Sequence, residues 1–156
     1  EQSDDPSSNN HLGYLFAVQG KNLDEAEKLV RKALEAEPDT GAYLDSLAWV
    51  YYKMALRDDD PARLGAAAEI MARAVKQEPN DPVINDHAGD IAFVEGRLKM
   101  ALDRWEAALV LSEEGEDVPD RGLLQRKVKE ARQAIESSGA PTRPIVRPLK
   151  PPSSAD

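Results

Sequence analysis

The amino-acid sequence predicts an all-α fold, and three observations lead to this prediction. Strong helix formers dominate the 156 residues, while aromatic residues make up only 5% of them. No stretch alternates between apolar and polar residues as a half-buried strand would. A pattern of small residues recurs along the chain at helical spacing. With 41% hydrophobic residues the chain can bury a core, so we expect one folded domain.

Composition also excludes several classes of function. The net charge of −9 means that most of the surface would repel a phosphate backbone. The absence of cysteine excludes disulfides, zinc–thiolate sites and cysteine nucleophiles. The longest apolar runs are shorter than the roughly 18 to 20 residues that a membrane-spanning helix needs. We therefore expect no nucleic-acid partner and no membrane span in this segment.

Three copies of one small-residue pattern predict three helical hairpins. Each copy has two alanines seven residues apart, and in the first two copies a proline follows five residues later: Ala26, Ala33 and Pro38; Ala67, Ala74 and Pro79; Ala101 and Ala108. Upstream of each copy an apolar stretch contains one small residue, Gly13, Ala48 or Gly89. Two helices can approach closely only where side chains are small, and proline ends a helix.

This pattern resembles the tetratricopeptide repeat (TPR), a motif of about 34 residues that reads W-x2-L-G-x2-Y, then A-x3-F, A and P. The second copy matches best, as Leu44-x2-Leu47-Ala48-x2-Tyr51 followed by Ala67-x3-Met71, Ala74 and Pro79. The resemblance implies a right-handed α-solenoid of three TPR hairpins, with repeats at about 6–39, 40–80 and 81–114. The segments YLDSLAWVYYK and DPVINDHAGD are similar in sequence to bacterial members of the family, many of which are exported or lipid-anchored.

The end of the chain predicts a capping helix and a tail. Over about 119–138, apolar residues fall on one helical face, namely Leu123, Leu124, Val128, Ala131 and Ile135. Such a helix would cover the last apolar face of the repeats and complete a domain over 1–139. Residues 140–156 carry five prolines and three basic residues, which predicts a basic tail that is polyproline-like or disordered.

The second hairpin carries an insertion of about seven residues relative to the motif. The insertion includes the run Asp58-Asp59-Asp60, which lacks the alternating ligands of a calcium loop. We therefore expect a lengthened hairpin with a solvated acidic turn. Asp60 before Pro61 predicts a helix N-cap, and Asp24 with Glu27 predicts a capping box.

Groups suited to catalysis are scarce. The two histidines, His11 and His87, occupy the same position in their repeats. A metal site that pairs His87 with Asp86 or Asp90 would lack a third ligand at a clear spacing, so we interpret both histidines as structural or solvent-facing. Phosphate-binding loops and nucleophile elbows are absent from the sequence. We therefore predict a protein that is not an enzyme and holds no metal or cofactor.

The resemblance further implies a groove along the first helices of the hairpins, which in this family holds partner peptides. The positions that would face it are Asn10, Tyr14, Asp45, Trp49, Tyr52, Lys53, Asp86, Asp90 and Phe93. Their aromatic rings could stack on proline, and their carboxylates could accept hydrogen bonds from Arg or Lys. A basic, proline-containing peptide is therefore the predicted ligand. The alternative for Trp49 and Tyr52 is the hairpin core.

These inferences predict a non-catalytic protein–protein interaction scaffold. One alternative is a structural or assembly subunit of a larger bacterial envelope or secretion-related complex, which would self-associate through its faces or through the tail at 140–156. Another is a specificity appendage to a catalytic region elsewhere in the polypeptide. Glu1 in place of methionine suggests a trimmed chain, so export or lipid anchoring through an upstream segment stays open and the compartment is not predicted.

Overall fold

The computed structural model describes residues 4–112 and 119–138, and within these ranges the regular secondary structure is entirely helical. The helices are α1 (Pro6–Gln19), α2 (Leu23–Ala36), α3 (Gly41–Asp58), α4 (Pro61–Gln77), α5 (Pro82–Val94), α6 (Leu98–Leu111) and α7 (Arg121–Ser138). The prediction of an all-α fold is confirmed. The predicted tail at 140–156 and the predicted end of the third repeat at 114 lie outside the described residues.

Consecutive helices pair into hairpins, and the hairpins pack on one another. Within hairpins, α1 contacts α2, α3 contacts α4 and α5 contacts α6. Between hairpins, α2 contacts α3 and α4 contacts α5, while α6 contacts α7 in the same order. The first helices also touch, because α1 packs on α3 and α3 packs on α5. The helix α7 therefore holds the place that the first helix of a further hairpin would hold.

Small residues allow the two helices of the first and third hairpins to approach closely. A methyl carbon on Gly13 would lie 2.6 Å from Cγ2 of Val30 in α2. A methyl group on Gly89 would overlap the indole of Trp105, which is fully buried between α5 and its neighbours. The recurring small residues thus mark the points where the helix backbones come closest.

The seven-residue insertion lengthens both helices of the second hairpin. Helices α3 and α4 have 18 and 17 residues, whereas α1 has 14 and α5 has 13. Only Asp59 and Asp60 connect them, with Asp59 in the left-handed conformation at φ 52°. The Asp60 carboxylate accepts a hydrogen bond from the Arg63 backbone N–H at 3.0 Å, which confirms the predicted N-cap. The acidic run is therefore a tight interhelical turn.

The predicted capping box at Asp24 and Glu27 is wrong. Helix α2 begins at Leu23, so Asp24 already lies in its first turn, where its charge favours the positive end of the helix dipole. Glu27 instead accepts hydrogen bonds from Arg31 Nε at 2.8 Å and from the Tyr51 hydroxyl at 2.9 Å. Because Tyr51 belongs to α3, Glu27 links two hairpins rather than closing its own helix end.

In residues 4–112 and 119–138, every helix is too short or too polar to cross a lipid bilayer.

Replacing Gly89 tests the close helix approach. We expect Gly89→Ala to lower the free energy of unfolding by about 1 to 3 kcal/mol, because the new methyl group is forced against the Trp105 ring. The matched control is Gly65→Ala in α4, where the same methyl group meets no atom within 4 Å. Alanine should stabilise that partly exposed helix position by about 0.5 to 1 kcal/mol. Urea unfolding of both variants measures the difference, and equal shifts would contradict the assigned crossing point.

Candidate peptide-binding cleft

The first helices of the three hairpins line an open cleft of about 270 Å³. Helix α1 contributes Asn10, His11 and Tyr14, α3 contributes Ala42, Asp45 and Ser46, and the start of α5 contributes Asp81, Val83 and Ile84. Three of the residues predicted to face a peptide, Asn10, Tyr14 and Asp45, therefore meet at one place. The side-by-side packing of α1, α3 and α5 brings them together.

Hydrogen-bond acceptors are prominent in this cleft. The side-chain oxygen Oδ1 of Asn10 is buried and has no hydrogen-bond partner among the described residues. Burial, followed by the negative charges of Asp45 and Asp86, raises the pKa of Tyr14, so its phenol stays neutral at physiological pH. A buried acceptor left unpaired costs roughly 1 to 3 kcal/mol, and a donor on a bound ligand would remove that cost.

Asp45 is paired with His87 across the interface between α3 and α5. Their Oδ1 and Nδ1 atoms lie 2.8 Å apart, and both residues are buried. The Trp49 indole stacks on the imidazole, with ring centroids 4.0 Å apart and planes 19° from parallel. Burial opposes protonation of His87, but Asp45, with smaller contributions from Asp86 and Asp90, outweighs it and raises the His87 pKa above its ordinary value. A proton on His87 would offset the charge of Asp45.

Asp86 and Asp90 are paired with Lys127 of α7. Lys127 Nζ lies 2.8 Å from Asp86 Oδ1 and 2.7 Å from Asp90 Oδ1. Trp105 Nε1 donates to Asp90 Oδ1 at 3.1 Å and lies 3.2 Å from the Asp86 carbonyl oxygen. Burial raises the pKa of Asp90 despite the nearby ammonium group. These two carboxylates therefore fasten α7 to α5.

The remaining predicted groove residues lie mostly between helices. Trp49 and Tyr52 are only 9% and 7% exposed, and their rings lie 4.8 Å apart, in agreement with the alternative that places them in the core. Phe93 is partly buried against Trp105, with ring centroids 5.4 Å apart. Lys53 Nζ lies 5.5 Å from the centre of the Trp49 ring. Contact between neighbouring first helices encloses these positions, so their part in ligand binding stays a prediction.

His87 and Lys127 are the partners that sequence reasoning missed. Lys127 interrupts the apolar stripe formed by Leu124, Val128 and Ala131, and it is buried with them. A single charged residue on an otherwise apolar face indicates a buried ion pair, and this signal was available in the sequence. His87 has no such local signal, because its partner belongs to another hairpin. Within the described residues, no three His, Asp or Glu side chains form a cluster that could hold a metal.

The His87–Asp45 pair predicts a pH-dependent stability. Because the pKa of His87 is raised in the folded state, the pair contributes fully to the free energy of unfolding below the ordinary histidine pKa of about 6.5. This contribution is lost as the pH rises through the folded-state pKa of His87. We therefore expect the melting temperature to fall as the pH rises above about 6.5. The fall should disappear in His87→Gln and persist in the control His11→Gln, which changes the exposed histidine at the equivalent position. A fall of the same size in His87→Gln would contradict this assignment.

Removing Lys127 should leave two partly buried carboxylates without their counter-charge. We expect Lys127→Met to destabilise the protein by about 3 kcal/mol at neutral pH, although methionine fills a similar volume. The loss should shrink as the pH is lowered, since burial raises the pKa of Asp90 and its protonation removes an unpaired charge. Lys129→Met on the exposed face of α7 is the control and should change stability by at most about 0.5 kcal/mol. Chemical unfolding at two pH values measures both effects, and equal losses in the two variants would refute the pairing.

Comparison with known proteins places this geometry in context. No family model matches the chain. A TPR repeat-containing protein of Pseudomonas aeruginosa is 33% identical to it over 84 residues, which are 54% of this chain. The chain spans only 13% of that relative's length. The similarity and the helical architecture together support a TPR-like helical repeat family.

Proposed function

We propose that the protein is a non-catalytic TPR scaffold, a short right-handed α-solenoid that binds an extended segment of a partner protein across its first helices. The observation that carries the proposal is the open cleft between α1, α3 and α5, in which Asn10 Oδ1 is a buried acceptor that receives no donor from residues 4–112 and 119–138. The similarity to a TPR repeat-containing protein supports it in general terms. Binding would supply the missing donor and cover the apolar wall at Val83 and Ile84.

The arrangement of the helices limits the size of the ligand. Packed helices lie about 8 to 10 Å apart, so a segment that crosses α1, α3 and α5 spans about 20 Å. An extended chain advances about 3.3 Å per residue, so some six residues cover the cleft. The proposed ligand is therefore a short linear segment, and its backbone N–H groups are donors suited to Asn10.

Charge favours a basic ligand. The chain carries a net charge of −9, and the cleft includes the carboxylates of Asp45 and Asp81. Asp45 is already paired with His87, and Asp86 and Asp90 are already paired with Lys127. A cationic side chain of the ligand would therefore lie at the end of the cleft near Asp81. Proline in the ligand reduces the conformational entropy lost on binding, which agrees with the predicted basic and proline-containing class.

The segment at 143–152, RPIVRPLKPP, is a suitable probe because it contains three basic residues and four prolines within a short length. We expect this synthetic peptide to bind saturably to a chain that ends at residue 139, with an affinity that falls as salt rises. Asn10→Leu should weaken binding while preserving or raising stability, because it removes an unpaired buried acceptor. Gln125→Leu on the exposed face of α7 is the control and should bind normally. Fluorescence anisotropy of the labelled peptide measures both.

Two results would count against the proposed cleft. A peptide in which the three basic residues are replaced by glutamate should not bind, and equal binding would exclude the charge argument. Equal affinity for Asn10→Leu and the unmodified chain would place the ligand elsewhere. A self-assembling subunit is the second candidate function, and the observation in its favour is the exposed apolar face of α1 at Leu12 and Leu15.

A further inference from the structure

Helix α1 has an exposed face that is apolar and uncharged. Leu12 and Leu15 are 43% and 40% exposed, and Val18 is exposed to a similar extent. The helix sequence, PSSNNHLGYLFAVQ, contains no Asp, Glu, Lys or Arg. Exposed helix surfaces are normally rich in charged residues, and the centre of a protein interface is depleted of them. This face therefore has the composition of a surface that another protein element covers.

Equivalent positions in the other hairpins show what covers such a face. Counted from the residue that precedes each first helix, Leu12 and Leu15 correspond to Leu47 and Val50 in α3 and to Ala88 and Ile91 in α5. All four of these counterparts are buried. Helix α3 packs on α1 and α2, and α5 packs on α3 and α4. The exposed face of α1 is thus the surface that in α3 and α5 packs on a preceding hairpin.

The start of α1 repeats the start of α5. Asp5 and Asp81 each accept a hydrogen bond from the backbone N–H three residues later, at 2.7 and 2.9 Å, and proline follows each of them. Four residues after these caps lie Asn9 and Asn85, which are both buried. The Asn85 side chain donates to the carbonyl of Pro79 at 3.0 Å and so ties α5 to the turn that follows α4. Helix α1 therefore carries the local features of a helix that packs on a hairpin like α3–α4.

We propose that the exposed face of α1 is an inter-hairpin surface that binds a further helical hairpin of the same type. That hairpin would pack on α1 in the way that α3 and α4 pack on α5. The second helix of that hairpin would lie on Leu12 and Leu15, as α4 lies against α5. His11 adds a chemical requirement. It occupies the position of His87, which contacts Asp45 on the first helix of the preceding hairpin. A carboxylate on the first helix of the bound hairpin would match His11 in the same way.

The opposite end of the described structure argues against head-to-tail stacking of two copies. The exposed residues of α7 are mainly charged or polar, and they include Arg126, Lys129, Glu130 and Gln133. Stacking this surface on α1 of a second copy would bury several charges against leucines without partners. A hairpin with an apolar face is therefore the better occupant. This proposal does not require the cleft to bind a peptide, so either can fail without the other.

The cysteine-free chain allows a direct test by thiol labelling. A copy of residues 40–80 is joined ahead of Asp5, so that its α4 precedes α1 as α4 precedes α5. A cysteine introduced as Leu15→Cys should react at least about tenfold more slowly in this fusion than in the unfused chain, because the thiol is then protected by a folded interface. The control is Val110→Cys on α6, which is 85% exposed and should react at the same rate in both proteins.

A second measurement keeps the test decisive. Leu12→Glu should leave the stability of the unfused chain unchanged, since the position is exposed. The same substitution should lower the melting temperature of the fusion. In the fusion that carries both Leu12→Glu and Leu15→Cys, the cysteine should again react fast. Equal labelling of Leu15→Cys with and without the added hairpin overturns the proposal. Protection in the unfused chain that grows with concentration, together with a dimer in light scattering, would identify a second copy as the occupant. Protection that is lost on deletion of residues 140–156 would identify the tail, and each of these two results also overturns it.

Discussion

The close approach of paired helices at small residues is the constraint on which the rest of the structure depends. At Gly89 the missing side chain makes room for the Trp105 indole, and at Gly13 it makes room for Val30. A crossing at short distance brings the large apolar residues on either side into contact over several turns. The first and third hairpins share this close crossing, and the first helices α1, α3 and α5 pack side by side. The interhelical turn can then vary in length, as the lengthened α3 and α4 show.

The side-by-side packing of the first helices determines which of their polar residues form ion pairs. Asp45 on α3 meets His87 on α5, beneath the Trp49 ring. Asp86 and Asp90 on α5 meet Lys127 on α7. Buried pairs of this kind often add little net stability, because desolvation offsets the attraction, but they penalise any other alignment that leaves a charge unpaired. We infer that these pairs select the register in which successive helices dock, while the apolar contacts supply most of the stabilisation.

Two surfaces of different chemistry result from this arrangement. The cleft between α1, α3 and α5 presents unpaired or partly solvated acceptors beside a small apolar wall, which suits an extended segment that brings its own donors. The outer face of α1 presents leucines and no charge, which suits a preformed helix whose backbone groups are already satisfied. In the proposed functions, one surface would select by hydrogen bonding and charge, and the other would select by shape and apolar area. Both proposals therefore describe protein contacts, but of distinct kinds.

The spacing of alanines, glycines and prolines by itself determined the helices and their pairing, because helix boundaries and close crossings depend on local steric rules. The N-cap at Asp60 followed from its neighbours in the same way. The capping box predicted at Asp24 and Glu27 was wrong, because Glu27 accepts a hydrogen bond from the Tyr51 hydroxyl of the next hairpin.

Only the tertiary structure decided which polar residues are paired and which remain open. Asp45 and His87 are 42 residues apart, and Lys127 is 41 residues from Asp86, so no local period relates them. For the same reason Trp49 is buried, and Asn10 Oδ1 finds no donor within the described part of the chain. Burial and charge pairing depend on distances across helices, and those distances are set by how the hairpins stack.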